Sequence, residues 1–91
     1  MGGVTRRRVV VRGRVQGVSF RASCRDEAGA RGVTGWVSNE PDDSVVAVFE
    51  GEASAVDAMV EWVHRGPAQA VVESVDVTEE EPEGLTEFTA R

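Results

Sequence analysis

Between residues 13 and 21 the hydrophobic rhythm of the chain changes from that of a strand to that of a helix, and the change passes through two glycines. Before it, Val9, Val11 and Val15 fall on one face and Arg8, Val10, Arg12 and Arg14 on the other, the two-residue period of a strand. After it, Phe20, Cys24 and Ala28 recur at four-residue steps, a narrow apolar stripe on a helix expected from Phe20 to Arg31 and stopped by Gly32. The connecting run, Gly13-Arg14-Val15-Gln16-Gly17-Val18-Ser19-Phe20-Arg21, therefore leaves a strand and enters a helix. Such a loop carries unpaired backbone N–H groups and the positive end of the helix dipole to one point, which is an anion-binding arrangement. Gly13 and Gly17 suit it because a residue without Cβ accepts positive φ and lets the backbone close as a nest of donors. Arg21, at the start of the helix, can fold a planar guanidinium over the bound group and meet two oxygens at once.

The remaining pattern supplies a fold. Val33 to Asn39 alternates as a second strand, Glu40-Pro41-Asp42-Asp43-Ser44 has turn composition, and Val45 to Glu50 is a valine-rich third strand, so these two strands are expected to form a hairpin. Val56, Met59, Val60 and Val63 mark a second helix, with Ser54 and Asp57 as its expected cap and Gly66-Pro67 closing it. A fourth strand from Val71 to Thr78 and a short fifth from Leu85 to Ala90 follow, separated by the like-charged run Glu79–Glu83, expected to be a solvated loop. The order predicts an α+β fold, a ferredoxin-like βαββαβ sandwich with an antiparallel four- to five-stranded sheet and two helices on one face. The 91 residues suffice for one domain, with residues 1–5 expected as a mobile tail.

Composition removes several chemistries. The chain has no lysine, so a Schiff base and a P-loop are excluded, and its one cysteine and one histidine cannot build an internal disulfide or a metal site rich in those residues. Cys24 lies on the buried stripe and reads as a small core residue; His64, in the last turn of the second helix, reads as favoured there by the dipole. No apolar run is long enough to span a membrane, and a cytoplasmic setting is expected. The net charge of −6 is unevenly spread, since residues 1–32 hold eight arginines against Asp26 and Glu27. An anionic substrate at the loop meets this local positive field, because charges beyond roughly 8 Å are screened in physiological salt. Arg6, Arg7 and Arg8 are read as solvating an exposed face.

The run Gly13–Arg21 resembles the first signature of the acylphosphatases, and Gly35-Trp36-Val37-Ser38-Asn39 looks like the start of their second, in the family's order and spacing. The resemblance implies hydrolysis of the carboxyl–phosphate anhydride bond of small acyl phosphates. It implies a site in which the backbone N–H groups of Val15, Gln16, Gly17, Val18, Ser19 and Phe20 cradle the phosphoryl oxygens, Arg21 binds two of them, and the Asn39 amide aims the attacking water. Neither residue titrates near neutrality, so the proton is expected to pass to the substrate's own phosphate, with no metal and no cofactor. Inorganic phosphate or sulfate should compete, and a monomer without nucleic-acid or membrane partners is expected. Two departures bear on Asn39: Asp43 stands where the family usually has Gly, and Ser38 where it tends to have a longer side chain. The alternative is a ferredoxin-like anion- or RNA-binding module without turnover, weakened by the scarcity of aromatics for stacking bases.

Overall fold

The computed structural model describes residues 3–91. Seven elements follow in order: β1 (Val4–Arg14), α1 (Phe20–Ala30), β2 (Thr34–Asn39), β3 (Val45–Glu52), α2 (Ala53–Arg65), β4 (Val71–Glu80) and β5 (Phe88–Ala90). The strands form one sheet in the order β4-β1-β3-β2-β5. Alternation decides which side chains enter the core: Val9 and Val11 of β1, Val37 of β2 and Val45, Ala47 and Phe49 of β3 all point to one face. There they meet Phe20, Cys24 and Ala28 of α1 and Val56, Met59, Trp62 and Val63 of α2, so both helices cover the same face, as the stripes require.

The sheet is mixed and not wholly antiparallel. β1, β2, β3 and β4 pair antiparallel, whereas β5 runs parallel to β2, with Gly35 opposite Phe88 and Val37 opposite Ala90. The direction is forced by where β4 stops. Glu80 lies beside Arg6, at the end of the sheet where β2 begins, so a chain that crosses from there to the far edge must run alongside β2.

That crossing is held by a buried ion cluster which the sequence reading placed in solvent. Arg6, expected on an exposed face, is only 4% exposed, and Glu50 beside it 2%. Arg6 Nη1 donates to Glu50 at 3.1 Å and Arg6 Nε to Glu80 at 2.9 Å, while Arg8 Nε donates to the other oxygen of Glu80 at 2.8 Å. Glu50 also accepts the backbone N–H groups of Glu83, Gly84 and Leu85 at 2.7–3.0 Å, fixing the segment that leads to β5. Burial alone would push the Glu50 carboxyl up, but these four donors outweigh it and hold it below the ordinary carboxylate value. Hydrogen bonds from Arg8 and Arg6 lower Glu80 likewise. Glu79 and Glu80, expected in a repelling loop, are instead the last residues of β4, in register with Arg7 and Arg6, and the guanidiniums of Arg6 and Arg8 neutralise Glu80.

Two further expectations are corrected. Val4 and Thr5 are not a tail: they belong to β1 and pair with Glu52 and Gly51, while Met1 and Gly2 lie outside the described residues. Ser54 and Asp57 do not cap α2, because β3 runs directly into the helix at Ala53 and leaves no room for a capping turn. Ser54 Oγ donates to the Glu52 carboxylate at 2.7 Å, and Asp57 pairs with Arg7 at 3.3 Å.

Because its folded-state pKa is depressed, Glu50 contributes stability that is present above the unfolded value of about 4.3 and is lost as pH falls through the folded one. Glu50→Gln should therefore flatten the acid limb of a plot of unfolding free energy against pH, the residual slope belonging to the other lowered carboxyls, Glu80 and Asp42. Glu50→Ala, which takes the acceptor from three backbone N–H groups and from Arg6 Nη1 while leaving Arg6 on Glu80, should lower stability by about 2–4 kcal/mol; a denaturant midpoint close to the parent's would show that the cluster does not hold the crossing.

Candidate active site

β1 ends at Arg14, and the chain covers Val15 to Ser19 before α1 begins at Phe20. Val15, Val18 and Phe20 are buried, so their side chains pin the loop to the core and leave its backbone facing outward. Gly17 adopts φ 74° and Ser19 φ 63°, two left-handed residues with one between them. A left-handed serine is strained by roughly 1–2 kcal/mol. The conformation also has a chemical consequence. A helix normally begins with an extended residue whose side chain caps the first N–H groups, but Ser19 makes no such bond and the first turn of α1 carries no acidic residue. Among the described residues no protein acceptor is found for the backbone N–H groups from Gln16 to Phe20. The donors of a nest and a helix N-terminus are thus left for an anion.

Gly13 does not belong to this cradle. It sits within β1 where the register against β4 shifts after Arg12, at φ 130°, and a Cβ there would fall on the Val71 carbonyl oxygen. Its role is to admit the bulge that turns β1 towards the loop.

The loop is fastened to the β2–β3 hairpin by Gln16, whose Nε2 donates to the carbonyl oxygens of Glu40 at 2.8 Å and Ser44 at 2.9 Å. Its side chain is thus committed to the hairpin and sets the distance between the loop and Asn39, while its backbone N–H, the group expected in the cradle, stays with the loop. Asn39 ends β2 opposite Val45 and is half-buried. The turn beyond it takes φ 72° at Asp43, the position where a glycine would be unstrained. The neighbouring Asp42 compensates: its carboxylate accepts the Ser44 hydroxyl at 2.6 Å and the Ser44 N–H at 3.0 Å, which lowers its pKa and closes the turn. Ser38 donates its hydroxyl to the Asn39 carbonyl at 3.3 Å.

Arg21 stands in the first turn of α1 with its guanidinium exposed, and Nη1 donates to the backbone oxygen of Arg91 at 2.6 Å. Arg91 is itself held by its N–H on the Val37 carbonyl at 2.8 Å, and its guanidinium lies 4.3 Å from the centre of the Trp36 ring. Arg21 is therefore oriented from β2 through the residue after β5. An open pocket of about 320 Å³ lies at this corner, lined by Val15, Gly17, Ser19, Phe20, Arg21 and Asn39, and by Ala22, Arg25 and Ala90. Six of the eight residues expected at the site meet there; Gln16 and Val18 do not line it. Arg25, Ala90 and the Arg91 contact were missed. Arg25 carries a readable signal, its four-residue spacing from Arg21, whereas nothing local announces that β5 returns beside β2.

The lining contains two arginines and no carboxylate, a field suited to an anion. Cys24 is fully buried behind the helix, and burial pushes its thiol well up, so it offers no thiolate. His64 lies on α2, its Nδ1 2.8 Å from the Val60 carbonyl, and does not line the pocket. Among the described residues no group of three or more His, Cys, Asp or Glu side chains could hold a metal, and no helix is long and apolar enough to cross a membrane. What the corner can do is bind a tetrahedral oxyanion through backbone donors and a guanidinium, with a neutral amide beside it.

The Acylphosphatase family profile matches residues 7–90. An acylphosphatase of Rubrobacter xylanophilus is 60% identical over 77 residues, covering 85% of this chain and 70% of that protein. One from Haloquadratum walsbyi is 54% identical over 87 residues, covering 96% and 94%. The structure of an acylphosphatase from Coxiella burnetii superposes with a TM-score of 0.93 at 39% identity, covering 97% of this chain and 93% of that one.

The double contact made by Gln16 predicts a measurable cost. Gln16→Ala should lower stability by about 1–2 kcal/mol, two neutral hydrogen bonds' worth, seen as a shift of the urea midpoint at unchanged slope. An unshifted midpoint would mean that the loop and the hairpin are held together by something else.

Proposed function

The chain belongs to the acylphosphatase family, and on that premise we propose how its corner pocket works. It is an acylphosphatase, an enzyme that hydrolyses the carboxyl–phosphate anhydride bond of small acyl phosphates to a carboxylate and inorganic phosphate. In our reading the phosphoryl group sits at the N-terminus of α1. Its equatorial oxygens accept the open N–H groups of the loop between Val15 and Phe20, and the guanidinium of Arg21 bridges two of them. The bond to Arg91 costs Arg21 one of its five donors and leaves the others for the substrate. The Asn39 amide holds a water in line with the leaving carboxylate. Phosphoryl transfer asks mainly for charge neutralisation and alignment, and these groups supply both. A primary amide and a guanidinium offer no basic lone pair to take a proton, so the water's proton goes to a phosphoryl oxygen of the substrate itself.

One observation carries this reading: the loop with the adjoining Arg21, and Asn39 eighteen residues further on, line one pocket. The outward sheet face supports the RNA alternative poorly, since Arg8 and Arg12 are paired with Glu80 and Asp76. The rest of the proposal is that the chain acts as a cytoplasmic monomer, with inorganic phosphate and sulfate as competitive inhibitors.

Benzoyl phosphate hydrolysis by the purified chain, with and without EDTA, tests the reading, with equal rates expected. Arg21→Ala should abolish turnover and Arg21→Lys nearly so, because an ammonium supplies charge without the bidentate fork; near-parental turnover in Arg21→Lys would remove fork geometry from the mechanism.

Asn39→Ala should reduce kcat roughly a hundred- to a thousand-fold, the effect of losing one aimed transition-state contact, while inorganic phosphate still binds to the nest and Arg21. Measuring kcat and phosphate inhibition on a confirmed fold separates this from a turn-shaping role, under which stability would fall and turnover stay within a few-fold of the parent.

A further inference from the structure

Beyond the phosphate cradle the pocket continues along α1, and its lining changes. Past Arg21 it consists of Ala22 and Arg25 on the helix and Ala90 on β5, two methyl groups and one cation. Phe20 offers an acyl group little aromatic surface, because it is 2% exposed and its ring packs on Trp62 at 5.4 Å between centroids. A bulky apolar acyl group would therefore find almost nothing to bury against. Arg25 is differently placed. It lies one turn beyond Arg21 on the same side of the helix, roughly 6 Å further along the axis. Its carboxylate neighbour, Asp26, is 3.9 Å away, and both side chains are more than half exposed. Contacts of that kind contribute little and are readily exchanged. Elsewhere arginines are engaged more closely, as Arg31 is with Glu27 at 3.4 Å and Arg8 with Glu80 at 2.8 Å.

We infer that Arg25 is a specificity residue of this site: it receives the far end of an acyl phosphate whose acyl chain carries a second anionic group about two or three carbons beyond the anhydride carbonyl. The inference rests on the acylphosphatase reading of the pocket and assigns to Arg25 a role at the acyl end of the substrate that this reading leaves open. The distances agree. A phosphoryl group under Arg21 and an anion on Arg25 must be separated by about the rise of one helical turn, and a short chain of that length spans it. With no carboxylate in the lining, the second anion meets no opposing charge within the pocket. Its distal charge replaces Asp26 on the guanidinium, so the preference arises without any new contact to the reacting atoms.

The test uses two stable phosphonates as competitive inhibitors of benzoyl phosphate hydrolysis: phosphonopentanoate, with a carboxylate at the far end of its chain, and pentylphosphonate, the same chain without it. The ratio of their inhibition constants, taken within one protein, isolates the distal charge. In the parent, phosphonopentanoate should bind about three- to fivefold more tightly, the size of one half-exposed charge contact, and the advantage should shrink with added salt. The ratio should fall to about one in Arg25→Gln, invert in Arg25→Glu and persist in Arg25→Lys. A ratio of one in the parent, or an undiminished ratio in Arg25→Gln, overturns the inference while leaving the phosphate site standing. If neither phosphonate competes in the parent, or if Arg21→Ala still hydrolyses benzoyl phosphate, the reading of the pocket itself fails and the inference goes with it.

Discussion

The site depends on a helix start left unsealed. A helix N-terminus ordinarily consumes its own donors with a serine or aspartate cap, and this chain has a serine at that position. By holding Ser19 in the left-handed region, the loop turns a potential cap into part of a nest, and the open N–H groups become a binding surface. The strain is local, and the buried side chains of Val15, Val18 and Phe20 over-determine it. The two partners of the open helix end come from other strands: Gln16 reaches the hairpin that ends in Asn39, and Arg21 reaches the residue after β5. Three separate stretches are thereby fixed relative to one set of backbone donors.

The buried pair Arg6 and Glu50 serves that arrangement from the far end of the sheet. Buried ion pairs are weak evidence of stability in themselves, since desolvation offsets much of their attraction. Here the carboxylate does something an apolar pair could not: it accepts three consecutive N–H groups of the segment that carries the chain across to β5. Without it three successive donors of the segment would lose their acceptor. Because β5 presents Ala90 to the pocket and precedes the residue that orients Arg21, a carboxylate on the outer face of β3 helps set the geometry of the site.

Much of this was legible in the sequence, for identifiable reasons. Elements with strong periodicity, such as α2 and the alternating half of β1, fell where the pattern put them, because burial on one face is what the pattern encodes. That Arg21 and Asn39 would share one corner could be read because each stands at an element boundary within a recognisable motif, and both line the pocket there. The errors share one cause, which is that local patterns do not report partners distant in the chain. Arg6 and Glu80 looked like solvated charges because their neighbours in sequence are charged, whereas their neighbours in space neutralise them. Gly13 looked like part of the anion loop, but its need for positive φ comes from the Val71 carbonyl across the bulge. Gln16 is in the loop as read, but that its side chain also braces the hairpin was not visible locally. The parallel run of β5 follows only once the end point of β4 is known.

The place of β1 in the sheet has a kinetic side. It lies between β3 and β4, so Arg6 pairs with Glu50 on one side and with Glu80 on the other, and neither neighbour is near in sequence. Closing loops of that length is entropically uphill before any contact rewards it, which places such topologies among the slower single-domain folders. The first strand must wait, with both edges unpaired, for chain that comes much later. The alternating arginines on that waiting strand, Arg6, Arg8, Arg12 and Arg14, then act as mutual repellents between copies of the unfinished molecule. The charges of Arg6, Arg8 and Arg12, which are neutralised in the native sheet, thus guard its most exposed edge during assembly.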